Sequence, residues 1–148
     1  MEIYEATEVT DEVVAAFQQL VPQLSTSARI PNKDEIAEIV NSPATILYLA
    51  RDPDRENQIV GSLTLVLFRI PTGVRAWIED VIVDQASRGK GIGEALTLAA
   101  LDRSKKAGAK TVDLTSRPSR EAANRLYQRI GFQQRETNLY RYDFLKNK

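Results

Sequence analysis

The chain has 148 residues, 43% of them hydrophobic and 27% charged, which suits one compact soluble domain with its own core over residues 1–148. Twenty basic residues balance twenty acidic ones, so no net charge draws the chain toward nucleic acid or an anionic membrane. The sequence holds neither cysteine nor histidine, which excludes disulfides, zinc–thiolate sites, cysteine nucleophiles and Ser-His-Asp catalysis. Acid–base chemistry then falls to Asp, Glu, Tyr, Lys, water or backbone groups.

Residues 2–6 alternate as a short strand. The acidic start at residues 1–5 lacks the apolar segment of a signal peptide, and no apolar run nears the roughly 20 residues that span a bilayer; a cytoplasmic location is the expectation. Over residues 11–24, Val13, Val14, Phe17, Leu20, Val21 and Leu24 recur at helical spacing after Thr10, a good N-cap, with Pro22 predicting a break or kink near the end. A polar loop covers 25–31. Asn32 followed by Glu35 resembles a capping box and opens a second helix to about Val40. Residues 44–50, 59–69 and 74–83 read as strands, joined by turn residues at Asp52-Pro53-Asp54 and Pro71-Thr72-Gly73, which predicts an antiparallel meander. The pattern then turns helical over 91–107, with Ile92, Ala95, Leu96, Ala99 and Ala100 on a stripe that Leu98 and Leu101 widen, and Gly108 ends it. Residues 111–115 read as a strand and 119–130 as a helix capped by Ser119. Gly131-Phe132 leads into strand-like residues ending at Leu145. Strand, helix, strand adds a parallel pair beside the meander.

Residues 88–93, Arg-Gly-Lys-Gly-Ile-Gly, join a strand to a helix. Glycine allows a tight turn and close backbone approach, and the first helical turn presents unpaired N–H groups at the positive end of the dipole. With Arg88 and Lys90 beside it, the segment is a candidate cradle for a phosphate. The plainer reading is a glycine-rich turn with no ligand. A P-loop fails because Asp84 stands where its first glycine belongs, and a dinucleotide fingerprint fails because Glu94 stands where its third glycine belongs.

Arg88-x-x-Gly91-x-Gly93 resembles the Arg/Gln-x-x-Gly-x-Gly/Ala signature of the GNAT (GCN5-related N-acetyltransferase) superfamily. The preceding Trp77-Ile78-Glu79-Asp80-Val81-Ile82-Val83-Asp84 resembles the family's fourth strand, and Asn124-x-x-Tyr127 with Gly131-Phe132 resembles its C-terminal cofactor segment. The motifs cover residues 77–132. The resemblance implies an α/β fold of the GNAT-like acyl-CoA N-acyltransferase kind, a central mixed sheet of six or seven strands flanked by about four helices. It implies acetyl-CoA as cosubstrate, no metal, and a fourth strand that carries a bulge and splays from the fifth. The pantetheine arm would then pair with backbone at Val81, Ile82 and Val83. Gly89, Gly91, Ile92 and Gly93 would hold the pyrophosphate through their amides, with charge from Arg88 and Lys90.

For catalysis, Glu79 is the candidate base, acting directly or through water; Asp80 and a water chain are the alternatives, and on a regular strand Glu79 and Asp80 face opposite sides. Either could be only a solvated or salt-bridged carboxylate. The resemblance makes Tyr127 the candidate acid near the cofactor sulfur, against core packing beside Leu126 and Ile130. Asn124, three residues earlier on the same helix face, would bond the pantetheine or position Tyr127. Arg117 and Arg120 are candidates for cofactor phosphates or an acidic acceptor group, and Trp77, Tyr140, Tyr142 and the 25–31 loop with Arg29 for the acceptor pocket. The expected function is acetyl transfer to a primary amine of a small molecule or peptide, with a non-catalytic CoA-binding or sensor module of the same fold as the alternative and nucleotide binding as a third. Neither nucleic acid nor membrane is an expected partner. The resemblance allows a homodimer, which no residue specifies.

Overall fold

The structure, a computed structural model, describes residues 1–147. Two compact units divide the chain, Met1–Thr115 and Ser116–Lys148. In the first unit the order is β1 (Glu2–Glu5), α1 (Asp11–Leu24), α2 (Lys33–Asn41), β2 (Thr45–Asp52), β3 (Gln58–Ile70), β4 (Gly73–Val83), α3 (Ile92–Lys106) and β5 (Val112–Asp113). The sheet runs β1-β2-β3-β4-β5. The first four strands pair antiparallel, β2, β3 and β4 through short connections and β1 with β2 across the α1 and α2 helices, and β5 lies parallel to β4 after the α3 crossover.

Both expected N-caps form. Thr10 accepts the Val13 amide at 3.2 Å. Asn32 accepts the Glu35 amide at 2.9 Å while Glu35 accepts the Asn32 amide at 3.0 Å, closing the capping box. Pro22 does not break α1, which continues to Leu24; so near the helix end its missing N–H removes one ladder bond and little else. Buried Val13, Ala16 and Phe17 of α1 and Ile36 of α2 pack with Leu47, Leu49 and Ile59. Gly61 pairs with Ala50, one residue out of phase with Leu49, and so faces the other side of the sheet. There it admits α3: a Cβ at Gly61 would lie 3.2 Å from both the Ile92 and the Leu96 side chains.

On α3 the buried positions are Ile92, Leu96, Thr97, Ala100 and Ser104, whereas Leu98 is 48% exposed. The two buried hydroxyls are satisfied within the helix, Thr97 Oγ1 donating to the Gly93 carbonyl and Ser104 Oγ to the Ala100 carbonyl, each at 2.7 Å. The stripe expected from apolar spacing is therefore displaced toward small polar residues that bond their own backbone.

The second unit holds α4 (Glu121–Ile130). Its N-cap is Arg120, with no side-chain cap, rather than Ser119. The described residues carry five strands, fewer than the six or seven expected. The shortfall lies after Phe132, where no regular strand forms and Leu139, Tyr140, Tyr142, Phe144 and Leu145 are exposed. A strand-like pattern supplies side chains suited to a sheet, but the ladder needs a paired edge to exist.

Candidate functional site

The register of β3 against β4 changes in the stretch that resembles the GNAT fourth strand. Ser62 lies opposite Ile82, but Thr64 lies opposite Glu79. Two residues of advance on β3 thus match three on β4, which is a β-bulge. Asp80 takes φ 49, one of three non-glycine residues with positive φ among those described; aspartate tolerates that left-handed region better than most side chains. The bulge re-aims the strand so that Glu79 and Asp80 are both exposed, in place of the opposite facing of a regular strand. Glu79 stands opposite Thr64, which itself stands opposite Leu47 of the α1/α2 core. Its carboxylate is therefore on the sheet face that α1 and α2 cover, and it accepts the Trp77 indole N–H at 2.6 Å.

On its other edge β4 pairs with β5 at only two positions, Ala76 with Val112 and Trp77 with Asp113. The registered β5 pairing stops at Trp77, and β4 continues from there to Val83. Val81 and Val83 are half-buried and Ile82 is buried.

A short 3₁₀ turn, Gln85–Ser87, follows β4. Asp84 caps it by accepting the Ala86 amide at 3.0 Å, and Gln23 of α1 accepts the Gln85 amide at 2.8 Å. The chain then passes through Gly89 at φ +82 and Gly91 at φ +79. Gly91 is the N-cap of α3 and has no side chain with which to cap it, so the amides of Ile92 and Gly93 at the helix start receive no acceptor from the cap. A Cβ at Gly89 or Gly91 would meet nothing within 4 Å; positive φ selects glycine here, and the backbone faces open space. Ile92 is 2% exposed and anchors the helix start over Gly61.

The two cations of the loop have protein partners. Arg88 donates from Nε to the Val83 carbonyl at 3.2 Å. Lys90 places Nζ 2.8 Å from Asp52 Oδ2 and 3.5 Å from Asp54 Oδ2. The Lys90 contact, aided by amide and hydroxyl donors, lowers the Asp52 carboxyl to about 2, and Asp52 in turn raises the Lys90 ammonium. Asp52 is a site-supporting residue that sequence reasoning treated only as part of a turn. Its partners lie 35 and 38 residues away, and no local pattern signals them.

In the second unit Gly131, at φ +124, ends α4, and the Phe132 amide bonds back to the Tyr127 carbonyl at 2.9 Å. The Tyr127 and Phe132 rings meet edge-on with centroids 5.7 Å apart. The Gly131-Phe132 pair is thus the helix stop that seats Tyr127. Tyr127 is buried, and burial raises its phenol above the ordinary value, partly offset by Arg120. Asn124 is one turn earlier and donates from Nδ2 to the Arg117 carbonyl at 2.9 Å. Tyr140 and Tyr142 are both largely exposed.

A family model described as the acetyltransferase (GNAT) family matches residues 8–132. A mycothiol acetyltransferase of Renibacterium salmoninarum is 37% identical over 81 residues, 53% of this chain and 24% of that protein. N-alpha-acetyltransferase 30 of Schizosaccharomyces pombe is 39% identical over 71 residues, 48% of this chain and 47% of that protein. The chain spans less than half the length of these curated relatives. The crystal structure of an acetyltransferase from Trypanosoma brucei matches with a TM-score of 0.75 at 25% identity, over 97% of this chain and 99% of that one.

Proposed function

Because the chain belongs to the acetyltransferase (GNAT) family, we propose that it moves an acetyl group from acetyl-CoA to a primary amine of a small molecule or peptide. The observation that carries this reading is the continuity of two features. A bulged strand with an edge that β5 leaves after Trp77 runs directly into a helix start opened by two positive-φ glycines. An amide-bearing arm can add to such an edge as a strand would, and a diphosphate suits the amides and dipole of the helix start. Both ligand chemistries belong to coenzyme A.

In this reading Val81, Ile82 and Val83 supply backbone to the pantetheine arm. The amides of Gly89, Lys90, Gly91, Ile92 and Gly93 receive the pyrophosphate, with Arg88 beside them. The acceptor nitrogen attacks the thioester carbonyl carbon, the C–N bond forms, the C–S bond breaks, and the electron pair leaves on sulfur. The nitrogen loses its proton to Glu79, directly or through water, and the Trp77 N–H fixes the direction of that carboxylate. Tyr127 is assigned the return of a proton to sulfur; a phenol is protonated near neutral pH, as an acid must be, and burial holds this one above its ordinary value.

Coenzyme A titrated against the protein should raise its melting temperature with the logarithm of ligand excess. Thiol release with acetyl-CoA should then depend on an amine from a panel of small amines and peptides. A melting temperature indifferent to coenzyme A would refute the cofactor assignment. Binding without thiol release for any amine would favour the sensor alternative.

A further inference from the structure

Asp52 ends β2 and is 2% exposed. A carboxylate removed from water in this way must be paired and hydrogen-bonded to be tolerated, and its donors come from two directions. From its own turn, the Asp54 amide donates to Oδ1 at 2.9 Å. From the glycine loop, Ser87 Oγ donates to Oδ2 at 2.9 Å and Lys90 Nζ donates to the same oxygen at 2.8 Å. Ser87 is wholly buried. Arg55, three residues after Asp52, adds Nη1 at 3.5 Å from both Ser87 Oγ and Asp84 Oδ1. One buried carboxylate oxygen therefore grips the loop at positions 87 and 90, on both sides of Gly89. The grip spans the turn where Gly89 adopts its positive φ, just before Gly91 opens α3.

We propose that Asp52 is a positioning residue for the phosphate loop, and that Lys90 acts by latching to Asp52 instead of contacting the diphosphate through its ammonium. With the Lys90 ammonium held 2.8 Å from Asp52 Oδ2, the open face of the loop is left to backbone amides, whose geometry the latch fixes in advance of binding. The inference rests on the coenzyme A reading above. It departs from the sequence-level assignment of the Lys90 charge to the cofactor.

The test combines two measurements on the full chain. In calorimetric titrations with coenzyme A, Asp52→Asn and Lys90→Met should each weaken binding about tenfold, the scale of one lost hydrogen bond to a charged group. The double variant should be no weaker than either single one, because both remove the same latch. Lys90→Arg should recover most of the loss, since it can still reach Asp52. In turnover, the single variants should raise KM for acetyl-CoA and leave kcat within about twofold. In hydrogen exchange without ligand, the amides of Ser87 and Arg88, which bond to the Asp84 and Gln85 carbonyls, should exchange faster in both variants while those of α1 keep wild-type protection.

Additive losses in the double variant would overturn the latch, as would wild-type exchange at the Ser87 and Arg88 amides in a folded Asp52→Asn protein. If Asp52→Asn does not fold, Lys90→Met, cut from the more exposed end, carries the exchange comparison alone. Failure of the wild-type protein to bind coenzyme A would overturn the cofactor reading. The exchange arm, which needs no ligand, separates that failure from failure of the latch.

Discussion

Trp77 donates its indole N–H to Glu79 Oε1 at 2.6 Å across one intervening residue of β4. Residues two apart on a strand share a face, and the bond sets the direction of an otherwise exposed carboxylate just before the bulge at Asp80. Trp77→Phe keeps an aromatic side chain, smaller than the indole, and removes the donor. Stability should change by less than about 1 kcal/mol, because the pair is solvent-accessible. The kcat/KM for the amine should fall several-fold while coenzyme A affinity holds. Glu79→Gln should lower kcat on the order of 10²-fold, the lower range for loss of a general base. Steady-state thiol release checks both, and an unchanged kcat in Glu79→Gln with chemistry limiting would remove Glu79 from the base role.

Gly91→Ala separates conformational strain from ligand exclusion. Its Cβ meets no atom within 4 Å, so the folded protein has room for it, but φ +79 disfavours any L side chain. The stability cost should be about 1–2 kcal/mol. The loss of coenzyme A affinity should exceed that cost, because the methyl enters the space from which the amides would be approached. Gly91→Glu adds charge repulsion and should abolish binding altogether. Thermal melts with and without coenzyme A read both effects, and a folded Gly91→Glu protein that binds like wild type would contradict the cradle.

How far the sequence reached depends on the range of the forces involved. The Asn32–Glu35 capping box and the Thr10 cap were readable because each closes within three residues. The meander was readable because its connections are short turns with glycine, proline and aspartate. The bulge was expected only through the family resemblance. An aspartate at φ 49 leaves no local mark, since aspartate is equally at home in a turn. The Asp52 contacts with Ser87 and Lys90 were invisible for a different reason: they join β2 to a loop beyond β4, and the sequence between them does not announce the meeting. The strand pattern after Phe132 misled in the opposite sense. Tyr140, Tyr142 and Phe144 alternate as strand residues do, yet without a registered edge they are exposed.

Tyr127→Phe removes a hydroxyl from a buried ring whose packing on Phe132 is retained. The fold and coenzyme A affinity should therefore be little altered, with a stability change within about 1 kcal/mol. If Tyr127 protonates the departing sulfur, kcat should fall on the order of 10²-fold and the basic limb of the pH–rate profile should lose the phenol's contribution. Because burial raises that phenol, the limb in the wild-type protein should lie above the ordinary tyrosine value. An unaltered rate with chemistry limiting would leave Tyr127 a packing residue.

The Asp52–Lys90 pair also predicts how stability depends on acid. Chiefly through the Lys90 hydrogen bond, Asp52 is lowered from 3.8 to about 2 in the folded chain. A carboxyl depressed by folding stabilises the native state above its unfolded pKa and loses that contribution as pH falls through its folded value. The stability margin of wild type over Asp52→Asn should thus be level near neutrality and shrink from roughly pH 4 toward pH 2. Glu12 and Glu35 are also lowered, by Arg51 and by the Asn32 amide respectively, but they are common to both proteins and cancel in the difference. Lys90 is raised, so its share is present below its ordinary value and is lost only as pH climbs through the raised one. Urea titrations of the two proteins across both limbs measure the margin. A difference that stays flat down to pH 2 would mean that the carboxylate near Lys90 gains nothing from its charge in the folded chain.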